Sequence, residues 1–208
     1  ILDLKLFKVI NFRQANLGFF LFFFVNVGSR FLRPFYFEEV RLFAPSISGI
    51  LMMISPSVML VCSYLIDHLK NYFSTKLLVI VGNILLSISM LMFSFWNNNS
   101  SLVFIIVSMI LLGFAMGFYY PTATQIGMKS LPKGKHGMGS ASISISKSVG
   151  KLVGILVFSL LFQVLFELFS NQNLTNLLSK SEAIQIVFTG AFVISIVNTF
   201  LSFRIKSD

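Results

Sequence analysis

Leu77-Leu-Val-Ile-Val-Gly-Asn-Ile-Leu-Leu-Ser-Ile-Ser-Met-Leu-Met-Phe-Ser-Phe95 is the stretch that decides the fold. Its 19 residues carry no charge, and Leu77 to Ile88 is apolar on all sides. Roughly 20 apolar residues cross a bilayer as a helix. Lipid offers the backbone no hydrogen bonds, so only helices or a closed barrel span it. The period-2 alternation of a barrel strand is absent, which leaves helix. Trp96 and then Asn97-Asn-Asn-Ser-Ser101 follow. An interfacial ring followed by turn formers predicts a membrane exit.

Similar runs extend in both directions, and six spans are predicted over residues 15–37, 45–66, 77–95, 102–125, 138–169 and 182–203. Span one is rich in Phe and carries Asn26, Arg30 and Arg33 toward its far end. The 208 residues are 56% hydrophobic and 11% charged, with a mean hydropathy of +0.87. Soluble domains are about 25% charged, so too little polar surface exists to clothe a water-soluble globule. The net charge of +9 is dispersed at helix ends. That placement reads as membrane topology and attraction to lipid headgroups, with no nucleic acid implied. Cys62 lies alone inside a span, so no disulfide framework exists.

Ten of the Lys and Arg residues fall in the N-terminal segment, the loops after spans two and four, and the tail. Arg30, Arg33, Arg41 and Lys180 fall on the other side. The positive-inside rule predicts both termini in the cytoplasm. The domain plan is a lead-in over 1–14, a six-helix transmembrane domain over 15–203 and a tail over 204–208. Because the chain begins at Ile1 and not Met, it is expected to belong to a longer polypeptide.

Asn11-Phe-Arg-Gln-Ala-Asn-Leu17, Pro34-Phe-Tyr36, Gly49, Gly113-Phe-Ala-Met-Gly117-Phe-Tyr-Tyr-Pro121 and Gly137 to Gly154 occur in that order and spacing. Together with the lead-in Leu2-Asp-Leu-Lys-Leu-Phe7, they resemble the C-terminal half of the 14-helix drug:proton antiporters of the major facilitator superfamily. The resemblance carries a basic position onto Lys147 and a packing pair onto Gly150 and Gly154, with Lys151 where a glycine is usual. It departs in the loop after span two. The family pattern there is Gly-x-Leu-x-Asp-x-x-Gly-x-basic, a gating turn. Leu69 and Lys76 match, Asp67 and Ser74 replace the glycines, and Asn71 replaces the Asp. A serine at a left-handed turn position loses the ease of glycine, and Asn71 forms no ion pair with Lys76, though Asp67 partly compensates.

The resemblance implies an all-α fold: six transmembrane helices forming one half of a major facilitator bundle in the cell membrane. Two such halves rock about a central site near the midplane. Proton-coupled efflux of hydrophobic or cationic small molecules is implied, with the proton gradient as energy source and no cofactor. The partners implied are the lipid bilayer and the N-terminal half or a second six-helix unit. A non-transporting six-helix subunit, or an inactive remnant, is the alternative. No metal-ligand spacing, Ser/His/Asp ordering or phosphate-cradling loop occurs, which argues against an enzyme.

Substrate-path candidates are Asn26, Arg30, Arg33, Gln125 and Lys147. A charge at the bilayer centre costs ~2.5–3.5 kcal/mol on insertion scales. Two readings therefore stand for Arg30 and Arg33: snorkelling or pairing with Glu38 and Glu39, or lining the path. Lys147 and Lys151 are either a helix start still in the headgroups or a basic mouth. Gly113 and Gly117, at the close-packing interval, and Pro121 are assigned to helix packing. Asn83, Gln125 and Asn198 are expected to bond neighbouring helices, and Glu167 is expected at a solvated helix end.

Overall fold

A computed structural model describes residues 8–132, 134–170 and 176–205. Among them, all regular structure is helical. α1 (Ile10–Pro34) continues as a six-residue π-helical segment (Phe35–Val40), and α2 (Pro45–Leu69), α3 (Thr75–Ser94), α4 (Leu102–Lys129), α5 (His136–Ser170) and α6 (Asn176–Phe203) follow. Six helices are long and apolar enough to cross a membrane. Helix starts follow local chemistry. Pro45 occupies the first turn of α2, and the Ser74 and Ser101 hydroxyls accept from the Leu77 and Phe104 amides to cap α3 and α4.

The first span is longer than its apolar run, from Ile10 to Val40. Pro34 lacks an amide hydrogen, so the Arg30 carbonyl loses its usual donor and the helix widens beyond it. The Arg41 amide then bonds the Tyr36 carbonyl at 2.9 Å, a π-helical step. Leu42 turns the chain at φ 54°.

The closest pairs are α1 with α5, α3 with α4, α3 with α6, and α2 with α4. α1 also meets α4 and α6 and is the most buried span, whereas α2 and α5 lie at the rim. Consecutive helices reverse direction, so α1 and α5 run parallel, as do α2 and α4. Exchanging helices one to three with four to six interchanges these two pairs, which is the relation of an inverted repeat.

Glycines seal both parallel pairs. A Cβ at Gly150 or Gly154 would overlap the carbonyl oxygens of Phe20 and Phe24 on α1. A Cβ at Gly113 would meet Val58 Cβ at 2.5 Å, and one at Gly117 would meet Cys62 Cβ at the same distance. Polar groups tie α3 to α6: Asn198 donates to Asn83 Oδ1 (3.0 Å), and Asn83 donates to Ser202 (2.6 Å).

Trp96, just beyond the end of α3, is fully buried, packed 4.3 Å from Phe93 and 4.7 Å from Tyr36 between ring centroids. Five of the seven phenylalanines of α1, Phe12, Phe19, Phe22, Phe23 and Phe24, are buried in the core. Because α1 is surrounded on most sides, its apolar surface meets helices before lipid.

Gly154→Ala is expected to cost about 1–3 kcal/mol through overpacking, while Gly190→Ala, with nothing near its Cβ, is neutral or stabilising. Thermal melting in one detergent checks the pair, and equal melting temperatures would refute the α1–α5 contact.

Candidate functional site

At the junction of α1, α4 and α5, rings from two helices pair in order. Phe22 stacks on Tyr119 (4.1 Å, 7°) and Phe23 on Tyr120 (4.8 Å, 13°), with Phe19 edge-on to Tyr119 at 5.6 Å. α5 lays two ammonium groups over these rings. Lys147 Nζ lies 4.3 Å from the Phe19 centroid, and Lys151 Nζ lies 5.0 Å from that of Phe23. Such cation–π contacts are worth ~0.5–1 kcal/mol when exposed and about 2 when desolvated.

The lysines lie well past the first turns of α5. Lys147 lies eleven residues beyond His136, the first residue of α5; at 1.5 Å per residue that is about 16 Å along the helix. Lys151, about 22 Å along, is near the helix midpoint. Exposed Arg30 lies within electrostatic reach of Tyr120. Among the described residues, no carboxylate forms an ion pair with Lys147, Lys151 or Arg30. The stacked rings are themselves buried apart from half-buried Tyr120, and the accessible surface here is Tyr120, part of Lys147, Lys151 and Arg30. Chemically, it suits aromatic groups and acceptor or anionic groups.

The two arginines of α1 part company. Arg33 is 1% exposed, which rules out snorkelling for that side chain. It makes long contacts with the carbonyls of Asn26 and Ser29 (both 3.4 Å) and the Met109 sulfur (3.8 Å), and lies 5.6 Å from the Phe93 centroid. Glu39 pairs instead with Lys180 at 2.6 Å. Asn26 is fully buried, with neither side-chain polar atom partnered, and the buried Gln125 Oε1 is likewise unpartnered. These three do not gather with Lys147 into one cluster of contacts. Glu167 is exposed and accepts from Gln163 at 3.4 Å near the end of α5.

The loop after α2 lacks the gating network. Asp67 pairs with Lys70 at 3.1 Å, and Asn71 is exposed. The expected left-handed turn is absent as well. Ser74 has φ −64° and caps α3, and the chain turns through successive bonds from the amides of Lys70, Asn71, Tyr72 and Phe73. Leu69 and Lys76 are half-buried flanking residues. Pro121 sits inside α4, where the Thr122 and Thr124 hydroxyls donate to the Phe118 and Tyr120 carbonyls beside it.

Sequence reasoning missed the rings and a polar contact. Ser142 and Ser146 both donate to Asn16 Oδ1, at 3.2 and 2.8 Å. Their i,i+4 spacing, like that of Phe19 with Phe23 and of Lys147 with Lys151, was the available signal.

Six apolar helices sealed by glycine contacts define a polytopic, membrane-embedded bundle. A family model for the Major Facilitator Superfamily matches residues 2–155, and the chain belongs to that superfamily, whose work is membrane transport. A comparison with curated proteins finds no matching relative.

Because Arg33 fills space beside Phe93 and Met109, Arg33→Ala is expected to lose about 2 kcal/mol or more of stability through the cavity it leaves. Arg33→Met should retain the fold, and Arg30→Ala should leave it unchanged. Fluorescence-detected size exclusion of the three variants checks this, and equal folded yields would refute the packing role of Arg33.

Proposed function

We propose that this chain is the C-terminal six-helix half of a cell-membrane exporter, multidrug in type, that expels hydrophobic compounds in exchange for protons. Its termini then lie in the cytoplasm, on the side of the basic loops. The observation that carries the reading is the pair Lys147 and Lys151 laid over the ring cluster of α1 and α4 in a major facilitator bundle. The exposed rim helices α2 and α5 suit contact with a second six-helix unit.

Of the two substrate kinds implied by the family resemblance, this face favours neutral and anionic aromatics over cations. Half-buried Tyr120 supplies aromatic surface, and three cations repel a positive ligand. The carboxylates among the described residues, Glu38, Glu39, Asp67, Glu167 and Glu182, all stand toward helix ends or in the π segment. Proton-coupling acids would therefore come from the other half. A non-transporting subunit is the second reading, favoured by the missing gating network.

Mass spectrometry of the native membrane protein separates the two: a product near twice 23.4 kDa or more supports the transporter half. In inverted vesicles carrying that native product, Lys147→Gln with Lys151→Gln is expected to slow transport of an anionic aromatic dye about tenfold, equivalent to roughly 1.4 kcal/mol. A cationic dye should be unaffected or faster. Equal loss for both dyes would refute the charge assignment.

A further inference from the structure

The side of α1 turned away from the lysine face carries a groove. Leu17 and Leu21 lie two residues from Phe19 and Phe23, about 200° around a helix of 3.6 residues per turn. Between α1 and α5 a cavity of about 410 Å³ has Arg13, Asn16 and Ser146 on its polar side and Leu17, Phe20, Ile145 and Val149 as apolar walls. A second cavity of about 230 Å³ lies between α1 and α6, lined only by apolar side chains: Phe20, Leu21, Phe24, Ile194 and Val197. Phe20 borders both, so the two lie side by side along α1.

We propose that this groove is a binding site for one anionic glycerophospholipid, with its phosphate at Arg13 and one acyl chain laid along Leu17, Phe20 and Phe24. Three observations commit the occupant. The groove is charged at one end only, and that end lies at the start of α1, the basic end of the bundle. Arg13 is exposed and, among the described residues, forms no ion pair with a carboxylate. The polar atoms beside it are already engaged: Asn16 donates to the Phe12 carbonyl at 2.9 Å and accepts from Ser146 at 2.8 Å. Among the described residues the guanidinium is thus the donor left available, and a guanidinium fork matches a phosphate.

Length agrees with this occupant. Arg13 to Phe24 is eleven residues, about 16 Å of helix. A hydrocarbon core of about 30 Å gives each leaflet about 15 Å of acyl chain. The groove thus runs from a headgroup to the end of one leaflet. Its walls, with Leu17 44% and Val149 43% exposed, stand open to a chain entering from the bilayer.

The site is tested by native mass spectrometry of the full-length membrane protein, released from detergent with phosphatidylglycerol or with phosphatidylcholine of the same acyl chains. One phosphatidylglycerol should persist at collision energies that strip phosphatidylcholine. Arg13→Gln should reduce that adduct at least fivefold, and Val149→Phe, which fills the groove, should do likewise. Lys129→Gln, which removes an exposed cation elsewhere at the same end, should leave it intact. Equal retention of both lipids, or equal loss with Lys129→Gln and Arg13→Gln, would overturn the proposal in favour of non-specific annular lipid. Retention with Val149→Phe would remove the acyl chain from the groove and overturn it as well.

Discussion

The approach of α5 to α1 through Gly150 and Gly154 is the contact on which the rest of the bundle depends. With no side chains between them, the two glycines rest on the backbone at Phe20 and Phe24. Lipid supplies no hydrophobic drive between helices, so such intimacy must be gained by van der Waals contact, which small residues permit. Because the helices run parallel, one contact fixes the register of the next four residues along. Asn16 then meets Ser142 and Ser146, and Phe158 fills the space beside Gly28. The same register brings Lys147 over Phe19 and Lys151 over Phe23.

The charges inside the bundle survive by two different means. The lysines keep part of their surface exposed and spread over aromatic faces; cation–π attraction of ~0.5–2 kcal/mol offsets part of an insertion cost of ~2.5–3.5. Arg33 has no such outlet. It is enclosed, and its donors reach carbonyls of its own helix at the long distance of 3.4 Å. It lies immediately before Pro34, where the regular bonding of α1 ends and the π segment begins. Its hydrogen bonds go to the Asn26 and Ser29 carbonyls, one to two turns before that irregularity. Cation at a face and cation in the core thus do separate work.

Six helices were legible from apolar runs alone, and the predicted edges of spans two, three and four fall within four residues of α2, α3 and α4. α6 begins six residues before its predicted span, because Asn176 to Ser181, with four polar residues and only Leu177 and Leu178 apolar, is nonetheless helical. What composition left hidden was direction around each helix. Phe23 and Leu21 read alike in a run of phenylalanines and leucines, yet one meets a lysine and the other lines a groove. Arg30 and Arg33 read as one pair, yet one is exposed and the other enclosed. A helix that is apolar all round has no polar face to orient it, so facing is set by glycines and polar pairs on the neighbours. The gating turn failed for a different reason: a Ser with φ −64° takes the ordinary capping role that a glycine-based pattern conceals.

α1 joins these features mechanically. Its core-facing rings stack on α4, its backbone rests on α5, and Gly18 accepts from Asn198 of α6 at 3.4 Å. A rigid-body movement of the bundle leaves all three contacts in place, whereas a slide of α5 along α1 would drive Cβ atoms of neighbouring residues into the sites that only Gly150 and Gly154 fit. Packed interfaces of this kind are bistable at most and do not deform continuously. The lysine face and the groove behind it must therefore move together, as parts of one α1–α5 unit. Rocking of the whole bundle against a partner fits that constraint, and internal shearing of α5 past α1 does not.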